Sequence, residues 1–223
     1  MSGQSTLAPP SQRNMVRVWS PLIRIGHWTL VGAFAIAWLT GDELLAVHSW
    51  AGYAAACAVT IRLLWGVFGL EQDRLSHFLR PPGEVLRYLS DAMRLRSARY
   101  LRHTPAGAVM GLALLASMAT TATTGMATLA QDHNAGPLAP WLGGGTAGLS
   151  LVAPAYAHGD DDGFGGEGHE HGGSGIGEVH EFFANLTLIL VLLHLAGVAL
   201  ASLSHRENLV RSMITGDKPA DGA

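Results

Sequence analysis

A chain of 223 residues that is 48% hydrophobic and 14% charged, with a formal net charge of −3, is either one ordinary soluble domain or a small bundle of membrane helices. The single cysteine, Cys57, excludes an intramolecular disulfide and a paired-thiol redox motif. Nothing in this balance points to a nucleic-acid partner.

In chain order, residues 1–21 form a mixed N-terminal segment, followed by four stretches almost free of charge: 22–40, 49–70, 105–130 and 181–203. About 20 helical residues cover a hydrocarbon core of roughly 30 Å, so each is long enough to span a bilayer. Residues 186–203 are apolar nearly all the way round apart from His194 and small hydroxyls, which favours lipid as their solvent. A buried hairpin of a soluble protein would need far more surrounding chain. The first stretch follows more than twenty polar or mixed residues, so it reads as a retained span and not as a secretory signal. Ala153 to Ala157 imitates a cleavage site deep within the chain and is taken as coincidence. The expected fold class is therefore all-α, an integral membrane four-helix bundle. Residues 22–130 hold spans one to three with a cytoplasmic loop at 71–104, residues 131–178 an outer loop, 179–204 span four, and 205–223 a tail.

Charge sets the expected orientation. Of 14 basic residues, all but Arg62 fall in the N-terminus (Arg13, Arg17, Arg24), the middle loop (Arg74, Arg80, Arg87, Arg94, Arg96, Arg99, Arg102) or the tail (Arg206, Arg211, Lys218). The opposite connections hold Asp42, Glu43, Asp132, Asp160, Asp161, Asp162, Glu167, Glu170 and Glu178 with no lysine or arginine. By the positive-inside rule both termini are cytoplasmic, which requires an even number of spans. Arg62 lies in span two toward its cytoplasmic end, where it either snorkels to the interface or pairs with a cofactor carboxylate. The arginine-rich loop contains an amphipathic helix expected over about 83–100, lying against anionic headgroups.

Four of eleven histidines lie in or at the mouths of the spans: His27, His48, His180 and His194. Ionisable groups at membrane depth are costly, so each is a functional candidate. His180 and His194 are fourteen residues apart, a rise of about 21 Å with an angular drift of only about 40° on an ideal helix. Both rings thus face one way at opposite leaflets. Span one brings His27 to the cytoplasmic half and span two brings His48 to the outer mouth. Matching depths gives the pairs His27/His194 and His48/His180. Two imidazoles on facing helices are what a bis-histidine haem iron needs, and with no Cys-x-x-Cys-His motif such a haem b is noncovalent. Two stacked haems would make an electron path across most of the bilayer, with no open iron position for oxygen chemistry. Gly52, Ala184 and Gly197, each about one turn beyond a histidine, admit either a porphyrin or a neighbouring helix, the latter being the commoner use of small residues in spans.

These residues resemble the prokaryotic cytochrome b561 family, related to the b-type cytochrome subunits of nickel-iron hydrogenases. The resemblance is carried by Val18-Trp19-Ser20-Pro21-Leu22, Arg24-Ile25-Gly26-His27-Trp28, His48-Ser49-Trp50-Ala51-Gly52-Tyr53 and Arg62-Leu63-Leu64-Trp65-Gly66. It continues through Arg99-Tyr100, His103-Thr104-Pro105-Ala106-Gly107, Val179-His180-Glu181, Asn185, His194 and His205-Arg206-Glu207-Asn208-Leu209. It covers nearly all of the chain except the long outer loop. It implies a haem-binding electron carrier of the bacterial cytoplasmic membrane, with ligand positions at His27, His48, His180 and His194, and iron as the metal. Electrons would be exchanged with quinone or with a partner such as a dehydrogenase, hydrogenase or c-type cytochrome. Its own catalysis is not expected.

The outer loop over 143–177 is dense in glycine and acid, with His158, His169 and His171 as candidate ligands for nickel, copper or zinc. A solvated loop is the favoured reading, since glycine imposes no preformed geometry. His77, His103, His133 and His205 receive no role, and Met110, Met118 and Met126 on span three are expected to pack. Span three offers no obvious ligand. Three functions compete: a dihaem electron carrier, a b-type anchor subunit of a hydrogenase-like complex, and, in another class, a metal-ion transporter or metal-responsive membrane protein.

Overall fold

The computed structural model describes residues 15–41, 43–69, 74–94, 100, 104–144, 150–152, 175–205 and 207–219. A short strand β1 (Met15–Arg17) leads into α1 (Pro21–Thr40) and α2 (Leu45–Phe68), then a 3-10 turn (Leu75–Phe78) and α3 (Pro82–Met93). They are followed by α4 (Pro105–His133), α5 (Ala139–Leu142), α6 (Gly175–His205), α7 (Leu209–Thr215) and β2 (Asp217–Pro219). Four of these, α1, α2, α4 and α6, are long and apolar enough to cross a membrane, α6 being the most apolar with mean hydropathy 2.4 against 1.5 for the others. They are the four spans expected from apolar length.

Local chemistry explains the ends. Ser20 caps α1 by accepting from the Ile23 amide, and Thr104 caps α4 by accepting from the Gly107 amide at 3.0 Å. In both helices a proline follows at the first position, where its missing N–H costs nothing. The helices outrun the apolar windows because backbone hydrogen bonding continues into the interface. α2 starts at Leu45 and α6 at Gly175, so His48 and His180 stand on helix and not on loop.

Close packing joins α1 to α2, α2 to α4, and α4 to α6. Among the described residues α6 has no comparable packing against α1 or α2. The contact surfaces are made of small residues: Ala51, Ala55 and Ala58 of α2 are buried, and Ala33, Ala55, Val59, Leu115 and Met118 form the core where α1, α2 and α4 meet. Met118 thus packs as expected. Large side chains such as Leu39, Phe68, Leu192, Leu193 and Leu195 point outward, the arrangement of a bundle whose solvent is lipid.

Two elements close the ends. α3 lays Tyr88 and Ala92 against the bundle while Leu86 stays exposed. It begins where the amphipathic pattern predicts and ends at Met93; residues 95–99 lie outside the described residues. β1 pairs antiparallel with β2, Val16 opposite Lys218, so the segment before α1 and the segment after α7 lie on the same side of the bundle.

Candidate functional site

The four intramembrane histidines meet in two pairs. The rings of His27 on α1 and His194 on α6 have centroids 6.4 Å apart with an interplanar angle of 63°. Those of His48 on α2 and His180 on α6 are 6.1 Å apart at 82°. These are the pairs that depth predicts. All four rings are half-buried, and they face one another across the side of the bundle where α6 lacks close packing with α1 and α2. Fourteen residues of α6 separate the two pairs by about 21 Å along the helix.

The outer pair is oriented by backbone. Nδ1 of His48 lies 2.9 Å from the Ala37 carbonyl oxygen, and Nδ1 of His180 lies 3.0 Å from that of Thr121. A carbonyl only accepts, so in each ring Nδ1 carries the proton and Nε2 keeps its lone pair. Thr124 Oγ1 also lies 3.3 Å from Nδ1 of His180. The inner pair is bounded by Trp28, whose ring is edge-on to His27 at 5.5 Å.

Span three therefore matters in a way that a search for ligands misses. It contributes the Thr121 carbonyl, the Thr124 hydroxyl and Gly125, where an added Cβ would stand 2.8 Å from Cε1 of His180. Only glycine leaves room for that ring. Lower on α4, Ser117 Oγ lies 2.7 Å from Thr187 Oγ1 of α6, and Thr121 Oγ1 lies 3.2 Å from the same atom. Thr187 is fully buried midway between His180 and His194. No single-sequence signal marks these residues, because threonine and glycine are common in spans for packing alone.

Other candidates fall out differently. An added Cβ at Gly52 or Gly197 meets nothing within 4 Å among the described residues, so no described helix makes a close approach there, against the commoner use of small residues that the sequence favoured. The Arg62 guanidinium carbon stands 5.4 Å over the Phe78 ring, which gives the charge a cation–π partner at membrane depth. His158, His169, His171 and His103 lie outside the described residues. Among the described residues no group of three or more His, Cys, Asp or Glu gathers to hold a metal ion. What the site offers instead is imidazole in pairs.

Four apolar helices carrying two imidazole pairs define a helical membrane protein. Residues 18–216 match the family described as prokaryotic cytochrome b561, and the chain belongs to that family. It is accordingly a multi-pass bacterial membrane protein, a b-type cytochrome working in electron transfer. No curated protein and no solved structure matches it.

Proposed function

We propose that His27 with His194, and His48 with His180, are the axial ligands of two b-type haems, one in each leaflet, and that the chain carries electrons between the two faces of the cytoplasmic membrane. The observation behind this reading is the ring separation. Two imidazoles that together held one metal ion, each nitrogen about 2 Å from it and each ring centroid about 1 Å behind its nitrogen, would have centroids about 6 Å apart. Separations of 6.4 and 6.1 Å fit that requirement. Protonated Nδ1 atoms on His48 and His180 leave Nε2 as the ligating atom, the second-sphere arrangement usual for metal-bound histidine.

Haem held by His27 with His194 and by His48 with His180 would supply one-electron transfer. The chain's own part is to hold four imidazoles at set heights, to fix ring tautomers through the Ala37 and Thr121 carbonyls, and to exclude water with the apolar faces of α1, α2 and α6. The basic termini and middle loop support a cytoplasmic location for the His27/His194 end. Quinone, or a partner dehydrogenase of the hydrogenase kind, is the class of redox partner we assign to it. Family membership favours this reading over ion translocation.

A reduced-minus-oxidised spectrum of the purified protein tests the reading, together with haem per chain. We expect a b-type band and two haems. Substituting His27 or His194 by Ala should remove one haem, and substituting His48 or His180 the other. Absence of the band would end the proposal; loss of both haems, or of neither, from each single change would end the pairing.

A further inference from the structure

The two histidine pairs are held by different means. His48 and His180 are tied within the bundle, each ring bonded to a carbonyl of a neighbouring span. At His27 and His194 the supporting helices α1 and α6 are not closely packed, yet the rings stand 6.4 Å apart. α1 and α6 are joined indirectly, through α2 and α4 and through the segments that pair as β1 and β2.

The connection runs through the two ends of the chain. After α6 the Glu207 amide donates to the Ser202 carbonyl, and Asn208 caps α7 by accepting from the Arg211 amide at 2.8 Å. α7 ends at Gly216, whose φ of +91° turns the chain into β2, and β2 pairs with β1 immediately before α1. The Gly216 carbonyl accepts from the amides of Val18 at 2.8 Å and Trp19 at 3.1 Å. The Arg24 guanidinium, one turn before His27, donates to the Ile214 carbonyl. Lys218 Nζ lies 3.8 Å from Glu207 Oε2 with both side chains only 6% exposed, and Val18, which follows β1, is buried. Breaking a buried ion pair is costly, so this contact resists being opened. The exposed Arg17–Asp217 pair adds little.

We propose that this terminal clasp is the positioning device of the His27/His194 site: Glu207, Gly216 and Lys218 act through α1 and α6 to fix the distance between the two rings. The inference rests on the haem-ligand reading above. It makes the two sites separable, because loosening the clasp disturbs the haem between α1 and α6 and leaves the haem between α2 and α6 alone.

The test uses the full-length purified protein, with His27→Ala and His48→Ala identifying which haem gives which redox transition. Lys218→Met should diminish or shift in potential the transition that His27→Ala removes, and leave unchanged the transition that His48→Ala removes. Glu207→Lys combined with Lys218→Glu should restore the wild-type titration. Gly216→Ala, which strains the backbone and sets a Cβ 2.9 Å from Arg24 Nη1, should act in the same direction and carries the test if Lys218→Met does not accumulate in the membrane. Clasp variants that titrate like wild type, or that disturb both transitions alike, overturn the inference while leaving the ligand assignment intact. If His27→Ala removes no haem, the ligand assignment fails, and the clasp's role with it.

Discussion

At the scale of single residues, what a histidine can do is decided by the hydrogen bond on its far nitrogen. His48 and His180 each spend Nδ1 on a carbonyl oxygen, so each presents Nε2 as a base or ligand. Gly125 is the residue that makes one of these bonds possible, because any side chain there collides with a ring already fixed by Thr121 and Thr124. On the proposed two-haem assignment, Gly125→Ala should therefore displace the His180 ring and shift or abolish the redox transition that His48→Ala removes. Redox titration and haem stoichiometry of the variant measure this, and an unchanged transition would count against the crowding argument. Residue types made the four histidines visible as candidates, since an ionisable group at membrane depth needs an explanation. They did not make Gly125 or Thr121 visible, because the glycine acts by lacking a side chain and the threonine through its backbone.

At the scale of elements, the four spans follow from composition: an apolar helix in lipid must satisfy its own backbone, and each of these stretches is long enough to do so across a bilayer. Which faces meet is a different matter. α4 and α6 are joined in mid-membrane by Ser117, Thr121 and Thr187, and Thr187 also donates to the Phe183 carbonyl at 2.8 Å. Thr187→Val would leave the Ser117 hydroxyl without this partner in a dry interface, at a cost of about 1–2 kcal/mol, whereas Thr187→Ser should stay close to wild type. Reversible unfolding in mixed detergent reports the difference. Equal stability of the two variants would mean that the hydroxyls contribute nothing net. The preference for lipid-facing leucines on α6 is legible in its sequence; the α4–α6 contact is not, since serine and threonine occur on both the packed and the lipid faces of α4.

At the scale of the whole molecule, one helix serves both sites. α6 brings His180 against His48 of α2 and His194 against His27 of α1, about 21 Å apart along its axis, while α4 packs along it. Pairing of β1 with β2 sets residues 15–17 and 217–219 on one side of the bundle, and the proposed orientation, from the positive-inside rule, has that side facing the cytoplasm. In a Cys57→Ser background, cysteines introduced at Ser2 and Gly222 should react with a membrane-impermeant maleimide only in inverted vesicles. A cysteine at Asp160 should react only in right-side-out preparations. Labelling in the opposite sense would reverse the assignment of the two sites to leaflets.

From the sequence by itself came the all-α membrane architecture, the number of spans, the expected orientation, the family and the histidine pairs, because lipid solvation, charge asymmetry and helical rise are properties of one segment at a time. Tertiary structure alone decided which carbonyls orient the rings, why position 125 is glycine, that α6 lacks close packing with α1 and α2 among the described residues, and that β1 and β2 pair next to the start of α1. Those depend on contacts between segments far apart in the chain, and a hydrogen bond to a backbone oxygen leaves no mark on the identity of the residue that supplies it.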